Sequence, residues 1–389
     1  VILLKFSLKV NGLGLFRKYF SLLFPFKKEK IIMPRMETLE NLYEIKHKNN
    51  HFFDRKLSIS SKRTLINGVK KAGKTSLIID YISNFNKEEV LYIDLNDTRV
   101  DKNEIAKNLS KFIKSKPIKI LVIENFDNSF TLPNVEEIVL TCNEEIEGFD
   151  SFTLYPLDFE EFISFDSRHS NIEHIFNIYT NSGSYPQIIL NSTNSVYWSM
   201  QEMLKIMIRD EKEFEIFKTL SLYQSSLVSL FKIYNQLKNK IKISKDRLYG
   251  AVKKLEDEKM IFLTPKYNSP KSAKKLYLVD FALKNALTFK REFLKRFENM
   301  VFLELVKKDK SIFYTDKIDL YIPDEKYAIF CIPFIPPEMI KLKLTKILLH
   351  VKELNIQKID IVTVGNEGEF WLKNVKCSII PFWEWALRD

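Results

Sequence analysis

Through the first half of the chain, short apolar runs alternate with stretches of helical spacing, and each run stops at a polar or glycine residue. Leu57 to Asn67 is strand-like, and from Ser76 onward Leu77, Ile78 and Tyr81 recur at helical spacing. Further strands are expected at Val90–Ile93, ending at Asp94, at Ile118–Ile123, running into Glu124-Asn125-Phe126-Asp127, and at Val135–Leu140, running into Thr141-Cys142-Asn143. This pattern predicts an α/β fold, an open parallel sheet with crossover helices whose ligand site lies beyond the carboxyl ends of the strands. From Leu227 to Leu278 the pattern becomes helix, turn, helix, then strands at Ile261–Thr264 and Lys275–Leu278 around a Pro/Ser/Lys-rich turn. Ser244 is placed to cap the second of these helices, and Leu248, Val252 and Leu255 fall on its packing face. Strand-like segments return at Ile359–Val364 and Val375–Ile380, followed by Phe382-Trp383-Glu384-Trp385.

The candidate chemistry sits between the first strand and the first helix. Gly68-Val69-Lys70-Lys71-Ala72-Gly73-Lys74-Thr75 fits GxxxxGK(S/T), with Ser76 following. Two glycines let the backbone turn its N–H groups toward phosphate oxygens, at a helix N-terminus whose dipole also favours negative charge. Lys74 is expected to reach the β- and γ-phosphates, and the Thr75 hydroxyl to ligate Mg²⁺, which prefers hard oxygen ligands. No Asn-Lys-x-Asp base-recognition sequence stands in an appropriate place, which favours ATP over GTP, and no arginine-rich lid of a small-molecule kinase is identifiable.

The third strand supplies the acidic partner. Glu124 is a candidate for the magnesium shell, but Asn125 stands where many ATPases place the carboxylate that positions the attacking water. An amide cannot accept that proton. Asp127 is the candidate substitute, with an ordinary turn residue as the competing reading, and Asn143 is either a sensor of the γ-phosphate or a simple turn residue. Slow or partner-stimulated hydrolysis follows as an expectation.

Composition changes this picture only modestly. The 389 residues are 45% hydrophobic and 29% charged, so the chain is globular and long enough for two or three domains. A net charge of +11 invites a polyanion partner, although a bias toward Lys, Asn, Ile and Phe accounts for part of it, and clustering is the better test. Cys142, Cys331 and Cys377 are far apart and, like the five histidines, lack zinc-site spacing, so reduced thiols in a cytoplasmic protein are expected. At the N-terminus, Lys5, Lys9, Arg17 and Lys18 interrupt the apolar residues of Val1–Phe6 and Phe16–Phe26, leaving no run of about 18 for a membrane span. This stretch reads as an amphipathic extension packing on the main body, with membrane contact as the competing reading and Met33 or Met36 as an alternative start.

Two later segments carry a family likeness. Phe152-Thr-Leu-Tyr-Pro-Leu157-Asp-Phe-Glu-Glu-Phe162 and Ser182-Gly-Ser-Tyr-Pro-Gln187, with the glycine loop, resemble prokaryotic AAA-type ATPases of the archaeal-ATPase group. The resemblance, which spans roughly Pro34 to Gly368, implies an ATPase core (37–160), a helical lid (161–222), a winged helix (223–285) and a domain similar to PD-(D/E)xK nucleases (286–389), with residues 1–36 read as an N-terminal extension. It also implies ATP and Mg²⁺ as ligands, and a protein partner or homo-oligomer. A neighbouring subunit's arginine would serve hydrolysis, with Arg168 and Arg209 as candidates. Lys245, Arg247, Lys253, Lys254, Lys271, Lys274 and Lys275 are candidates for phosphate contacts to DNA, against a winged helix used only for protein packing. The nuclease-like part keeps Asp319, but Ala328-Ile-Phe-Cys331-Ile-Pro333-Phe carries neither the second carboxylate nor the lysine, so a catalytically dead domain is expected.

Overall fold

The computed structural model describes residues 37–47, 54–165, 171–190 and 195–388. The N-terminal extension and Arg168 lie outside them.

The amino-terminal unit is built on five parallel strands: β1 (Arg63–Asn67), β2 (Val90–Asp94), β3 (Ile120–Glu124), β4 (Glu137–Thr141) and β5 (Asp150–Thr153). Their order is β2-β3-β4-β1-β5, so β4 separates the acidic strand β3 from β1, which feeds the glycine loop. β3 is buried at every position, as a central strand covered on both faces must be. Alternation sorts its side chains: Leu121 and Ile123 join Leu65, Leu91 and Ile138 in one core, whereas Ile120 and Val122 join Ile66 and Val139 in another. Helices α1 (Glu37–Glu44) and α3 (Lys102–Ser115) cover the first face, and α2 (Lys74–Ile82) covers the second. Asp101 fixes the start of α3 by accepting from the N–H groups of Asn103 and Glu104, and Ile105, Leu109 and Phe112 form its buried stripe.

A run of helices follows: α4 (Phe159–Phe165), α5 (Ile172–Ser182), α6 (Pro186–Leu190), α7 (Val196–Met207) and α8 (Glu211–Ser221). The next unit is an antiparallel sheet of β6 (Ser226–Val228), β7 (Ile261–Thr264) and β8 (Lys274–Leu278), in order β6-β8-β7, with α9 (Leu230–Leu237) and α10 (Lys245–Asp257) inserted between β6 and β7. Ser244 Oγ accepts from the Arg247 N–H and so starts α10 where the sequence places a cap.

After α11 (Leu283–Leu287) and α12 (Phe293–Lys307) comes a mixed sheet of β9 (Leu320–Ile322), β10 (Tyr327–Cys331), β11 (Lys358–Thr363), β12 (Gly368–Leu372) and β13 (Val375–Pro381). Its order is β12-β13-β11-β10-β9, with both edges antiparallel to the three inner strands. Helices α13 (Pro337–Thr345) and α14 (Leu348–Glu353) lie over one face, and α12 with α15 (Phe382–Ala386) over the other. One continuous core joins this second face to the helical run: Phe159, Tyr179, Phe281, Phe297 and Phe382 are all buried in it, as are Val69 and Ala72 of the glycine loop. Among the described residues, no helix is long and apolar enough to cross a membrane.

Candidate nucleotide site

The glycine loop departs from ordinary backbone where its sequence permits. Gly68, Lys71 and Gly73 all have positive φ, at 119°, 66° and 103°. A Cβ on Gly68 would overlap the carbonyl of Leu154, so only glycine fits there. Val69 and Ala72 bury their side chains completely and so anchor the loop, leaving its backbone to face the cleft. Gly73 precedes α2 without a side-chain cap, and the N–H groups of a helix's first turn have no intrahelical partner, which is the arrangement that attracts an anion.

Lys74 and Thr75, the first residues of α2, point their polar atoms into this corner. The Lys74 ammonium donates to the carbonyls of Gly68 at 2.6 Å and Val69 at 3.0 Å. Burial lowers its pKa from 10.5 to about 8, against the opposing pull of the Glu124 carboxylate. Thr75 Oγ1 donates to Glu124 Oε2 at 2.9 Å. Burial raises the pKa of Glu124, while its Thr75 and Tyr92 hydroxyl neighbours pull the other way. Glu124 Oε1 is buried without a hydrogen-bond partner. A carboxylate oxygen left in that state beside a threonine hydroxyl fits a hard cation such as Mg²⁺.

These groups line a cleft of about 1030 Å³, at the upper end of the usual range for ligand sites of about 300–1,000 Å³. Lys70, Lys71, Lys74, Arg55, Arg209 and Lys254 bring positive charge to it, while Pro186, Leu190, Ile206, Met207 and Ile208 give it an apolar wall. One part suits a polyphosphate and the other a flat ring. Lys254 and Leu255 of α10, and Glu258 just after it, also line the cleft, where Glu258 pairs with Lys70 of the glycine loop at 3.5 Å.

The sequence-predicted residues divide. Gly73, Lys70, Lys71, Lys74, Thr75, Ser76, Glu124 and Asn125 line the cleft, with Gly68, Val69 and Ala72 completing the loop behind them. Asn143 and Asp127 are not brought to it. Asn143 lies in the exposed turn after β4, whose strand runs to Thr141, and Thr141 takes the place in the cleft. Asp127 pairs with Lys102 at 2.5 Å on the surface, and this pairing lowers its pKa. Arg209, a candidate for donation from a neighbouring subunit, lines the cleft of its own chain.

Several cleft residues escape a sequence reading. Arg55 donates to the Ala72 carbonyl at 2.8 Å, to the Tyr155 carbonyl at 2.7 Å and to Glu161 at 2.9 Å, tying the loop to the Phe159–Phe165 helix. Asp94 accepts from the Asn125 side chain at 2.7 Å. Its position at a strand end was the available signal. Nothing local marks Arg55.

The lysines expected at a DNA interface are also unevenly placed. Lys245, Lys253, Lys271 and Lys274 are exposed. Arg247 pairs with Asp210 at 2.8 Å and Lys254 with Glu213 at 2.7 Å. Lys275 corrects the expectation: it is largely buried and paired with Glu298 at 2.5 Å, so it is not available to a phosphate. In the last unit, Asp319 accepts from the Cys331 N–H at 2.9 Å, and β10 offers Ala328, Ile329 and Phe330 to the core.

No family model matches the chain. It is 25% identical over 430 aligned positions to the uncharacterized protein MJ1544 of Methanocaldococcus jannaschii, covering 92% of this chain and 95% of the relative. Among solved structures it is similar to the Walker-type ATPase PABY2304 of Pyrococcus abyssi, at TM-score 0.39 and 15% identity over 65% of this chain and 94% of that one. It is also similar to the Aeropyrum pernix ORC1 protein in complex with DNA, at TM-score 0.26 and 13% identity over 69% of this chain and 95% of that one.

Proposed function

We propose that the chain is an ATP-binding P-loop ATPase of the AAA type, a nucleotide-dependent switch with slow or partner-stimulated hydrolysis. The observation that carries it is the convergence of Lys74, Thr75 and Glu124 at the carboxyl edge of the sheet, under a loop bent by Gly68 and Gly73. Lys74 and the loop N–H groups hold the β- and γ-phosphates, and the apolar wall from Pro186 to Ile208 receives the base. Thr75 and Glu124 hold Mg²⁺, which when bound neutralises phosphate charge. Arg209 reaches the phosphates from within the same chain.

The units after the ATPase core read as a helical lid, a winged helix and a degenerate nuclease-like domain. Contact between α10 and the cleft supports transmission of the nucleotide state to the winged helix, because the Lys70–Glu258 pair spans them. Lys245, Lys253, Lys271 and Lys274 are its contacts to DNA phosphates. Isothermal titration with Mg-ATP tests the nucleotide site: Lys74→Ala abolishes binding, and unchanged affinity in a folded Lys74→Ala variant refutes the site.

Asn125 favours a second reading, in which ATP is a structural ligand of a DNA-binding or scaffold protein and is never turned over. Phosphate release measured with and without duplex DNA separates the two.

A further inference from the structure

Hydrolysis of a nucleoside triphosphate is accelerated where a positioned carboxylate accepts a hydrogen bond, and then a proton, from the attacking water. Asn125 cannot accept the proton, and Glu124 is engaged by Thr75. Five carboxylates line the cleft: Asp94, Glu124, Asp210, Glu213 and Glu258. Three are neutralised, Asp210 by Arg247, Glu213 by Lys254 and Glu258 by Lys70. Among the described residues, that leaves Asp94 as the cleft carboxylate with neither an ion pair nor an engagement to Thr75.

Its placement suits the task. Asp94 ends β2 in register with Glu124 at the end of β3, one strand spacing of about 4.8 Å away. Oδ1 accepts from the Asn125 side chain at 2.7 Å and from the Asn96 N–H at 2.9 Å, which fixes the carboxyl group's orientation. Asn125 is held in turn: its φ is +57°, a sparsely populated conformation, and its N–H donates to Thr141 Oγ1 at 2.8 Å. The backbone is therefore set to aim the amide at β2. A second carboxylate thus stands beside Glu124 at the end of the neighbouring strand, held by the amide of Asn125, the residue that follows β3.

We propose that Asp94 is the catalytic carboxylate that aligns and deprotonates the attacking water, with Asn125 as its positioning residue. This rests on the nucleotide reading above. The water oxygen forms a bond to the γ-phosphorus as the bond from that phosphorus to the β–γ bridging oxygen breaks, and the electron pair departs with the nucleoside diphosphate. The water's proton passes to Asp94 and then to the released phosphate, which restores the carboxylate.

The test measures phosphate release and Mg-ATP affinity on the same full-length preparations. Asp94→Asn lowers kcat by on the order of 100-fold or more while ATP affinity stays within about threefold of wild type. The exchanged variant, Asp94→Asn with Asn125→Asp, places a carboxylate on the residue after β3 and recovers at least about tenfold of that loss. If Asp94→Asn does not fold, Asp94→Glu decides: its longer arm displaces the acceptor and lowers kcat about tenfold with ATP still bound. Wild-type kcat in a folded Asp94→Asn or Asp94→Glu variant overturns the proposal, as does an exchanged variant no faster than Asp94→Asn. A wild-type chain that binds ATP without releasing phosphate also overturns it and leaves the nucleotide site standing. A wild-type chain that does not bind ATP removes both.

Discussion

The Arg55 guanidinium meets the Glu161 carboxylate at 2.9 Å with both side chains only 6% exposed, and the same guanidinium holds the Ala72 carbonyl of the glycine loop at 2.8 Å. One buried ion pair thus supports the glycine loop. Arg55→Ala leaves the Glu161 charge buried without its partner, and removing one member of such a pair costs about 3–5 kcal/mol. Urea denaturation should show that loss in the free-energy intercept. Glu161→Gln keeps an acceptor for the guanidinium and should cost less; equal costs for the two variants would count against the pair as the source.

A second support lies at the turn between α5 and α6. Gly183 has φ of +73°, and a Cβ there would stand 2.5 Å from Asp280 Oδ1. Asp280 is fully buried and accepts from Ser184 N–H at 2.5 Å, Ser184 Oγ at 2.9 Å and Ala282 N–H at 2.8 Å. Burial raises its pKa, while those donors resist the shift. Gly183→Ala should therefore cost about 2–3 kcal/mol. Gly148, with φ of +81° and open space around it, provides the control. Gly148→Ala should cost only the backbone strain, about 1 kcal/mol. Thermal melts of the two variants check the difference, and similar shifts would refute the steric account.

These supports mark the boundary of what the sequence discloses. The glycine loop is legible because its geometry is local: two glycines within eight residues, just before a helix, dictate its backbone. Glu124 is legible because a fully apolar run ending in an acid is a central strand meeting its sheet edge. Arg55 and Glu161 are 106 residues apart, and Asp94 and Asn125 are 31 apart, so no spacing rule connects them. Asn143 lies outside the cleft for a narrower reason. The strand expected at Val135–Leu140 runs from Glu137 to Thr141, and this small displacement moves the polar group at the cleft from Asn143 to Thr141. Lys275 looked solvent-facing because its partner Glu298 belongs to a distant helix.

The helical run and the last unit meet at a titrating carboxyl. Glu304 is buried, accepts from Tyr179 Oη at 3.1 Å and from the Phe159 N–H at 3.2 Å, and burial raises its pKa from 4.5 to about 7. Between those values the folded chain holds a proton that the unfolded chain releases. The stability this group contributes is therefore fully present below pH 4.5 and is lost as pH rises through about 7, by about 3 kcal/mol in all. Glu304→Gln mimics the protonated form and should flatten the profile over that window. Denaturant midpoints collected from pH 4.5 to 8 check this, and a wild-type profile no steeper than that of Glu304→Gln would contradict it.

Thr75 links the loop to the acidic strand, and its hydroxyl has two separable tasks. It donates to Glu124 Oε2 at 2.9 Å in the chain alone, and in the proposed complex it turns an oxygen lone pair to Mg²⁺. The Lys74 ammonium and the loop backbone are untouched by Thr75→Ala, so ATP affinity measured in EDTA should change by no more than about threefold. Affinity with millimolar Mg²⁺ should fall much further, by about tenfold or more, because the gain that the cation brings to wild type is lost with its ligand. Thr75→Ser retains the oxygen and should keep the gain. Affinity that drops equally with and without Mg²⁺ would assign Thr75 to holding the loop's shape, and Glu124 would then have to bind the cation without it.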